Sequence, residues 1–579
     1  MRLGAKWAIA LLCILGALAA AAYRWPVRSA TVEAEVNQTI SPRLGLHLRR
    51  PANVTFALMP WPTLRVVGVE LVDAEDRSVL SAPVAHFPLS VAGLFRGRLV
   101  PLGATLRSPT AFIDLDAAPA VAEARGQDEE PPALWSEVRL RGGVLRVVSA
   151  ARHIDTLIES VDGTLDWPAA DRRLRLALVG AWRDETVRIE GRIDNPRDGL
   201  EGRPTGLRLS LNARPLTMNV EGAWNGGASG GFSGDISLDI RSLSGLERLF
   251  GARPERLFAN DSLSVNGKIQ TKGAAITLSD SHFALAGQTF DGALTFSLQD
   301  QSRAISGTLA ADTLHIDPLL PPTLPFVDGA GGWSSRPFDL APPNDLNLDL
   351  RISVAHADWR GHRVDDAAAS LLARDGQLTA KLLEATAYQG AAQGELTLAG
   401  SPAGLVARLS GSIAEADLGA AFADFGWSAF RGHGGLEFSL RSTGGSPAAL
   451  IASLEGTGSL NLQAGSVAGV NIEEAIRRSQ RRPIDLPRDM TSGQTTFSRA
   501  RAQFAIARGT VTIASGRVEG PGAVLAVEGS FDLAARALNT RLVATQADAQ
   551  GLPSVDAPRL TIVLSGPWSA PVVEATPGG

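Results

Sequence analysis

From about residue 30 onward the chain alternates apolar and polar side chains, and a period of two is the signature of half-buried β-strands. It is plain in Leu207-Arg208-Leu209-Ser210-Leu211, in Asp235-Ile236-Ser237-Leu238-Asp239-Ile240 and in Leu346-Asn347-Leu348-Asp349-Leu350-Arg351-Ile352. Val511-Thr512-Ile513 and Leu560-Thr561-Ile562-Val563-Leu564 carry the pattern toward the C-terminus. Strands of this kind bury one face and wet the other.

Within the alternation a finer unit repeats: apolar, any residue, glycine, any residue, apolar. Copies include Val265-Asn266-Gly267-Lys268-Ile269, Phe290-Asp291-Gly292-Ala293-Leu294, Ile305-Ser306-Gly307-Thr308-Leu309 and Val527-Glu528-Gly529-Ser530-Phe531. The spacing places each glycine on the face of its apolar neighbours. Glycine weakens a strand, so its recurrence needs a cause. One is curvature, with glycines at bulges and bends. The other is room, with missing side chains leaving slots in an apolar wall. The two are compatible, and Val265, Gly267, Ile269, Phe290, Gly292, Leu294, Ile305, Gly307, Leu309, Val527, Gly529 and Phe531 are the candidate lining of a groove.

The chain has 579 residues, beyond the ~250–300 at which single cores stop growing. With 60 Gly and 34 Pro, its elements are expected to be short. The fold expected is mainly β: an N-terminal transmembrane helix, then an elongated, coiled antiparallel β-sheet groove with a few short helices. The helices expected are residues 243–250, 417–425, 448–454 behind the cap Ser446-Pro447, and 470–482. The last has Glu473 and Glu474 early and four arginines late, the order that suits the helix dipole. Residues 117–132 read as an acidic linker and 318–345 as a proline-rich boundary. They separate β regions at 24–116, 133–317 and 346–566, leaving a tail at 567–579.

Residues 1–23 set the expected compartment. Arg2 and Lys6 precede an uncharged run of ~17 residues, ~25 Å as a helix, at the short end for a membrane span. Positive charge ahead of it favours a cytoplasmic N-terminus and an exported body. Trp7, Leu11, Leu15, Leu18 and Tyr23 are the candidate anchor residues. The competing reading is a cleaved signal peptide, since Ala17-Leu18-Ala19 and Ala20-Ala21-Ala22 resemble cleavage sites. The only cysteine, Cys13, lies in this run, so the body can form neither a disulfide nor a thiolate metal site.

A search for chemistry leaves no candidate catalytic, cofactor-binding or metal site. The eight histidines are scattered, and the nearest pair, His356 and His362, lacks a third ligand at a suitable spacing. Gly227-Ala228-Ser229-Gly230-Gly231 matches a nucleophile elbow, but a strand rather than a helix is expected after it. Asp365 and Asp366 point to opposite faces if extended. A net charge of -5, without a basic stripe, gives no reason to expect nucleic acid.

Several segments resemble the AsmA family of Gram-negative envelope proteins. They include Leu64-Arg65-Val66-Val67-Gly68-Val69-Glu70-Leu71, Asp375-Gly376-Gln377-Leu378, Tyr388-Gln389-Gly390-Ala391-Ala392-Gln393-Gly394, Ser446-Pro447-Ala448-Ala449-Leu450 and Gly465-Ser466-Val467-Ala468-Gly469-Val470-Asn471-Ile472. The resemblance implies a bridge-like β-groove, related in shape to TamB and YhdP proteins, anchored in the inner membrane with its bulk in the periplasm. It further implies a non-enzymatic protein that handles phospholipids on their way to the outer membrane, with outer-membrane components as further partners. The alternative it carries is a scaffold for outer-membrane protein assembly.

Overall fold

The computed structural model describes residues 23–30, 32–34, 37, 46–49, 51–73, 76–96, 100–114, 137–149, 154–167, 173–183, 185–226, 230–250, 262–299, 302–319, 332–337, 346–359, 361–424, 430–468, 471–479, 493–547, 559–567 and 572–578. Strands dominate, 31 of them against six short α-helices among these residues. The chain forms two compact units: residues 1–256, 261–285 and 295–301, and residues 257–260, 286–294 and 302–579.

The first unit begins with short strands packed around Val54, Val66, Ala82 and Ala85. From Glu137–Ser149 to Ala275–Leu285 it continues as a meander in which each strand pairs antiparallel with the next. Neighbouring strands in such a meander need only tight turns. The second unit is a meander of the same kind from Leu346–Trp359 to Val572–Gly578. Its hairpins explain two of the sequence segments singled out above. Asp375 and Gly376 have φ of 51° and 72°, and Tyr388 and Gln389 have φ of 49° and 66°. Two consecutive positive φ values match the right-handed twist of the flanking strands.

The ladders are mixed, which corrects the purely antiparallel expectation. Thr110–Asp114 pairs parallel with Glu137–Ser149, and Ser302–His315 pairs parallel with Leu346–Trp359. A parallel pair needs a crossover of a dozen residues or more. Both of the linkers read from sequence fall in these connections. Residues 117–132 lie outside the described residues, whereas 332–337 of the proline-rich stretch pack within the second unit. There the Trp333 indole N–H donates to the Leu533 carbonyl at 2.7 Å, and Arg536 stacks over the ring. The division between compact units falls at 285–302, upstream of that stretch.

The helices lie where the sequence places them: Leu243–Phe250, Leu418–Asp424, Pro447–Ala452 and Ile472–Ser479, with Val91–Phe95 and Pro196–Leu200 in addition. Ser446 caps Pro447–Ala452 by accepting from the Ala449 N–H at 3.3 Å. Asn471 starts the last helix the same way, accepting from Glu474 N–H at 3.0 Å, which shortens the expected 470–482 at its front. No helix among the described residues is long and apolar enough to cross a membrane. Trp7, Leu11, Leu15 and Leu18 of the expected anchor lie outside those residues; Tyr23 is exposed and meets Trp25 edge-on.

Candidate functional site

In each unit the alternation puts the apolar side chains on one face, and the strand register lines them up in rows. In the first unit one row runs Leu176, Gly191, Leu209, Val220, Ile236, Gly267. A second runs Leu178, Ile189, Leu211, Met218, Leu238, Val265, Phe283. In the second unit a single row passes through Gly307, Leu350, Leu371, Ala380, Leu396, Leu409, Leu440, Gly456, Ile506, Val511, Phe531 and Leu538. At about 4.8 Å per strand its contour is roughly 50 Å. Most of these side chains are only half-buried, and Leu409 is 39% exposed. A second layer packed over them would bury them fully.

The opposite face is polar. Arg208 pairs with Glu221 directly across strands, Lys268 with Asp280 at 3.1 Å and Lys381 with Glu395 at 3.5 Å. The Arg208 guanidinium holds the Glu221 carboxyl below its ordinary value through their hydrogen bond.

Helices close the apolar face at particular places. Leu246 of Leu243–Phe250 packs on Ile158, Trp182, Val187 and Ala213. Ile472, Ala475 and Ile476 seat the last helix on Ala523, Leu525, Ala544, Leu560 and Ile562. Beside Leu418–Asp424, Phe422 meets Phe430 edge-on at 5.0 Å, and Phe430 stacks on Phe497 at 6.0 Å.

The candidate lining residues divide into two kinds. Among the apolar ones, Val265 and Phe290 are buried, while Ile269, Leu294, Ile305, Leu309, Val527 and Phe531 are half-buried. The glycines leave no slots. A Cβ on Gly292 or Gly307 would lie 2.0 or 2.1 Å from a carbonyl oxygen of the neighbouring strand, and both residues have φ near +155°, a region essentially confined to glycine. Gly529 has φ +147°, and its Cβ would meet the Asn539 carbonyl at 2.4 Å; at Gly267 it would meet the Ser281 hydroxyl at 2.0 Å. Elsewhere the space is taken by phenyl rings, Phe438 over Gly411 and Phe504 over Gly458. Close strand approach therefore accounts for these glycines.

One polar cluster borders this face in the second unit. The Tyr388 hydroxyl donates to Asp424 Oδ2 at 2.9 Å, and His362 Nδ1 lies 3.1 Å from the same oxygen. Burial first, then the hydrogen bond to Asp424, pushes the Tyr388 phenol up to about 12. Tyr388 and His362 together hold Asp424 below its ordinary carboxylate value. His356 lies elsewhere, with its Nδ1 2.7 Å from Asp365, which also accepts from Arg363. The two histidines thus have separate partners. No group of three His, Cys, Asp or Glu among the described residues could hold a metal ion. Ser229 of the glycine-rich motif lies outside those residues.

The sequence reading missed the Trp333 anchor and the Tyr388–Asp424–His362 cluster. Their partners are distant in sequence, 200 residues apart for Trp333 and Leu533. The motif Tyr388-Gln389-Gly390 was a signal for a turn, but not for the contact.

The fold and its one-sided apolar rows define a class: a β-ladder protein whose hydrophobic face is incompletely covered by the described residues. The AsmA family model matches residues 327–515, so this stretch of the second unit is similar to the AsmA family. The match spans the Trp333 segment, the half-buried row from Leu350 to Val511 and three of the helices. Residues 64–71, which carry part of the resemblance read from sequence, lie outside it. That partial match fits an envelope-associated protein. No curated protein matches the chain.

Proposed function

We infer that this protein binds phospholipid acyl chains along its apolar face and hands them along the ladder, without catalysing a reaction, in the periplasm of a Gram-negative cell. The observation that carries the reading is the row from Gly307 to Leu538: one face, twelve strands, apolar or glycine throughout, and mostly half-buried. Moving a phospholipid through water exposes two acyl chains, at ~0.8 kcal/mol per CH₂ or roughly 20 kcal/mol in total. An aliphatic wall removes much of that penalty, while the headgroup stays in water. Residues 1–23 would hold the chain in the inner membrane, with components of the outer membrane as the receiving partners.

The test places a photoactivatable amino acid at Ile269, Leu309 or Val527 and, as outward controls, at Lys268, Thr308 or Glu528. The expected result is capture of phospholipid from the first set and not the second. Equal capture from both sets, or capture of polypeptide alone from the first, would overturn the reading; the latter outcome favours a scaffold for outer-membrane proteins.

A further inference from the structure

The polar face of the second unit carries a feature that the apolar rows do not explain. Arg408 and Arg441 are directly opposite each other on adjacent antiparallel strands. Residues paired in this way have Cβ atoms about 4.5–5.5 Å apart, and like charges there are destabilising. Other facing arginines have a carboxylate on at least one partner: Arg175, Arg192 and Arg208, opposite one another in turn, pair with Asp166, Asp194 and Glu221, and Arg517, opposite Arg501, pairs with Glu519. Neither Arg408 nor Arg441 has an ion pair or hydrogen bond among the described residues.

The two arginines line a cleft of about 520 Å³. Register builds it as two adjacent rows: Thr397, Arg408, Arg441 and Glu455, and beside them Glu395, Ser410, Ser439 and Thr457. The hydroxyls of Ser410 and Ser439, paired across the same two strands, lie alongside the arginines. Glu395 is engaged by Lys381 at 3.5 Å, outside the arginine pair. Glu455 faces Arg441 in the register without an ion pair to it. Because Arg408 and Ser410 flank Leu409 in a strand, the cleft opens on the face opposite the apolar row.

We propose that this cleft is a binding site for a phosphate-type oxyanion, held between the guanidinium groups of Arg408 and Arg441 with the Ser410 and Ser439 hydroxyls as further donors. Planar guanidinium forks suit such oxygens, and a bound dianion relieves the repulsion between two facing cations. The group could belong to a soluble phosphate ester or to a lipid headgroup. The site does not depend on lipid occupying the apolar face.

The experiment titrates the purified full chain with inorganic phosphate by calorimetry, and separately measures flotation with phosphatidylglycerol and phosphatidylcholine vesicles. Arg408→Gln and Arg441→Gln are exposed changes, and each is expected to weaken phosphate binding at least tenfold. Glu455→Gln, which removes a nearby negative charge, is expected to strengthen it about threefold, and Arg431→Gln to leave it unchanged. Arginine-dependent phosphate binding without flotation identifies a soluble ligand. Arginine-dependent flotation confined to phosphatidylglycerol identifies a headgroup. Absence of both, or binding that persists in the double Arg408→Gln/Arg441→Gln variant, would overturn the proposal.

Discussion

Replacing Gly529 with alanine asks directly why the repeat contains glycine. At φ +147°, an L-residue carries strain on the order of 1–3 kcal/mol. The new methyl carbon would sit 2.4 Å from the Asn539 carbonyl oxygen and 2.5 Å from the Thr540 Cα. Ordinary C···O contacts begin near ~3.3 Å, so the strands Ala523–Asp532 and Ala537–Gln546 would have to part by most of an ångström. That loosens ladder hydrogen bonds worth about 1 kcal/mol each. The reduced freedom of the unfolded chain returns only about 0.4–1 kcal/mol. A net loss of about 3 kcal/mol is expected in urea unfolding. Gly394 is the internal control, because its Cβ would find nothing nearer than the Ser410 carbonyl oxygen at 3.3 Å. Gly394→Ala should therefore change stability by no more than about 1 kcal/mol. If the two variants unfold alike, backbone approach is not what the repeat glycines serve. Unchanged stability combined with lost lipid capture in Gly529→Ala would instead restore the reading that they leave slots for a ligand.

Three further outcomes follow from particular contacts. Ile476→Ala empties a site that is 2% exposed under the last helix, so about 2–5 kcal/mol should be lost, with faster hydrogen exchange in Ile472–Ser479; a loss below about 1 kcal/mol would mean that the helix is not seated there. Ser446→Ala removes the cap of Pro447–Ala452 and should cost about 0.5–2 kcal/mol by the same unfolding assay. The Asp424 carboxyl is depressed in the folded state, so its contribution is present above the ordinary carboxylate value of 3.8 and lost as pH falls through the lowered one. The Tyr388 phenol is raised, so its contribution holds below 10 and disappears as pH climbs through about 12. Ultraviolet titration of Tyr388 and acid unfolding of an Asp424→Asn variant check the two limbs. A Tyr388 midpoint near 10, or acid unfolding unchanged by the variant, would show that the cluster is not formed.

Much of this protein is legible in its amino-acid order. Period-two alternation identifies the strands and says which face is apolar, because successive side chains in a strand point to opposite sides whatever the neighbouring strand contributes. Helix starts are equally local: Ser446 satisfies an amide N–H three residues ahead and needs no other part of the chain. Register, crossover and coverage are different in kind. That Ser302–His315 lies parallel to Leu346–Trp359 depends on how a long connection returns. That Leu409 stays 39% exposed while Ile562 is 1% exposed depends on whether a helix happens to lie above. Both are leucine or isoleucine in the same alternating pattern, so composition cannot separate them. The motif around Gly529 marks the position of glycine, but only the Asn539 carbonyl across the ladder gives the reason, and Arg408 meets Arg441 only once the strands are paired. Local side-chain direction belongs to the sequence; contact between residues far apart in the chain is decided by the tertiary fold.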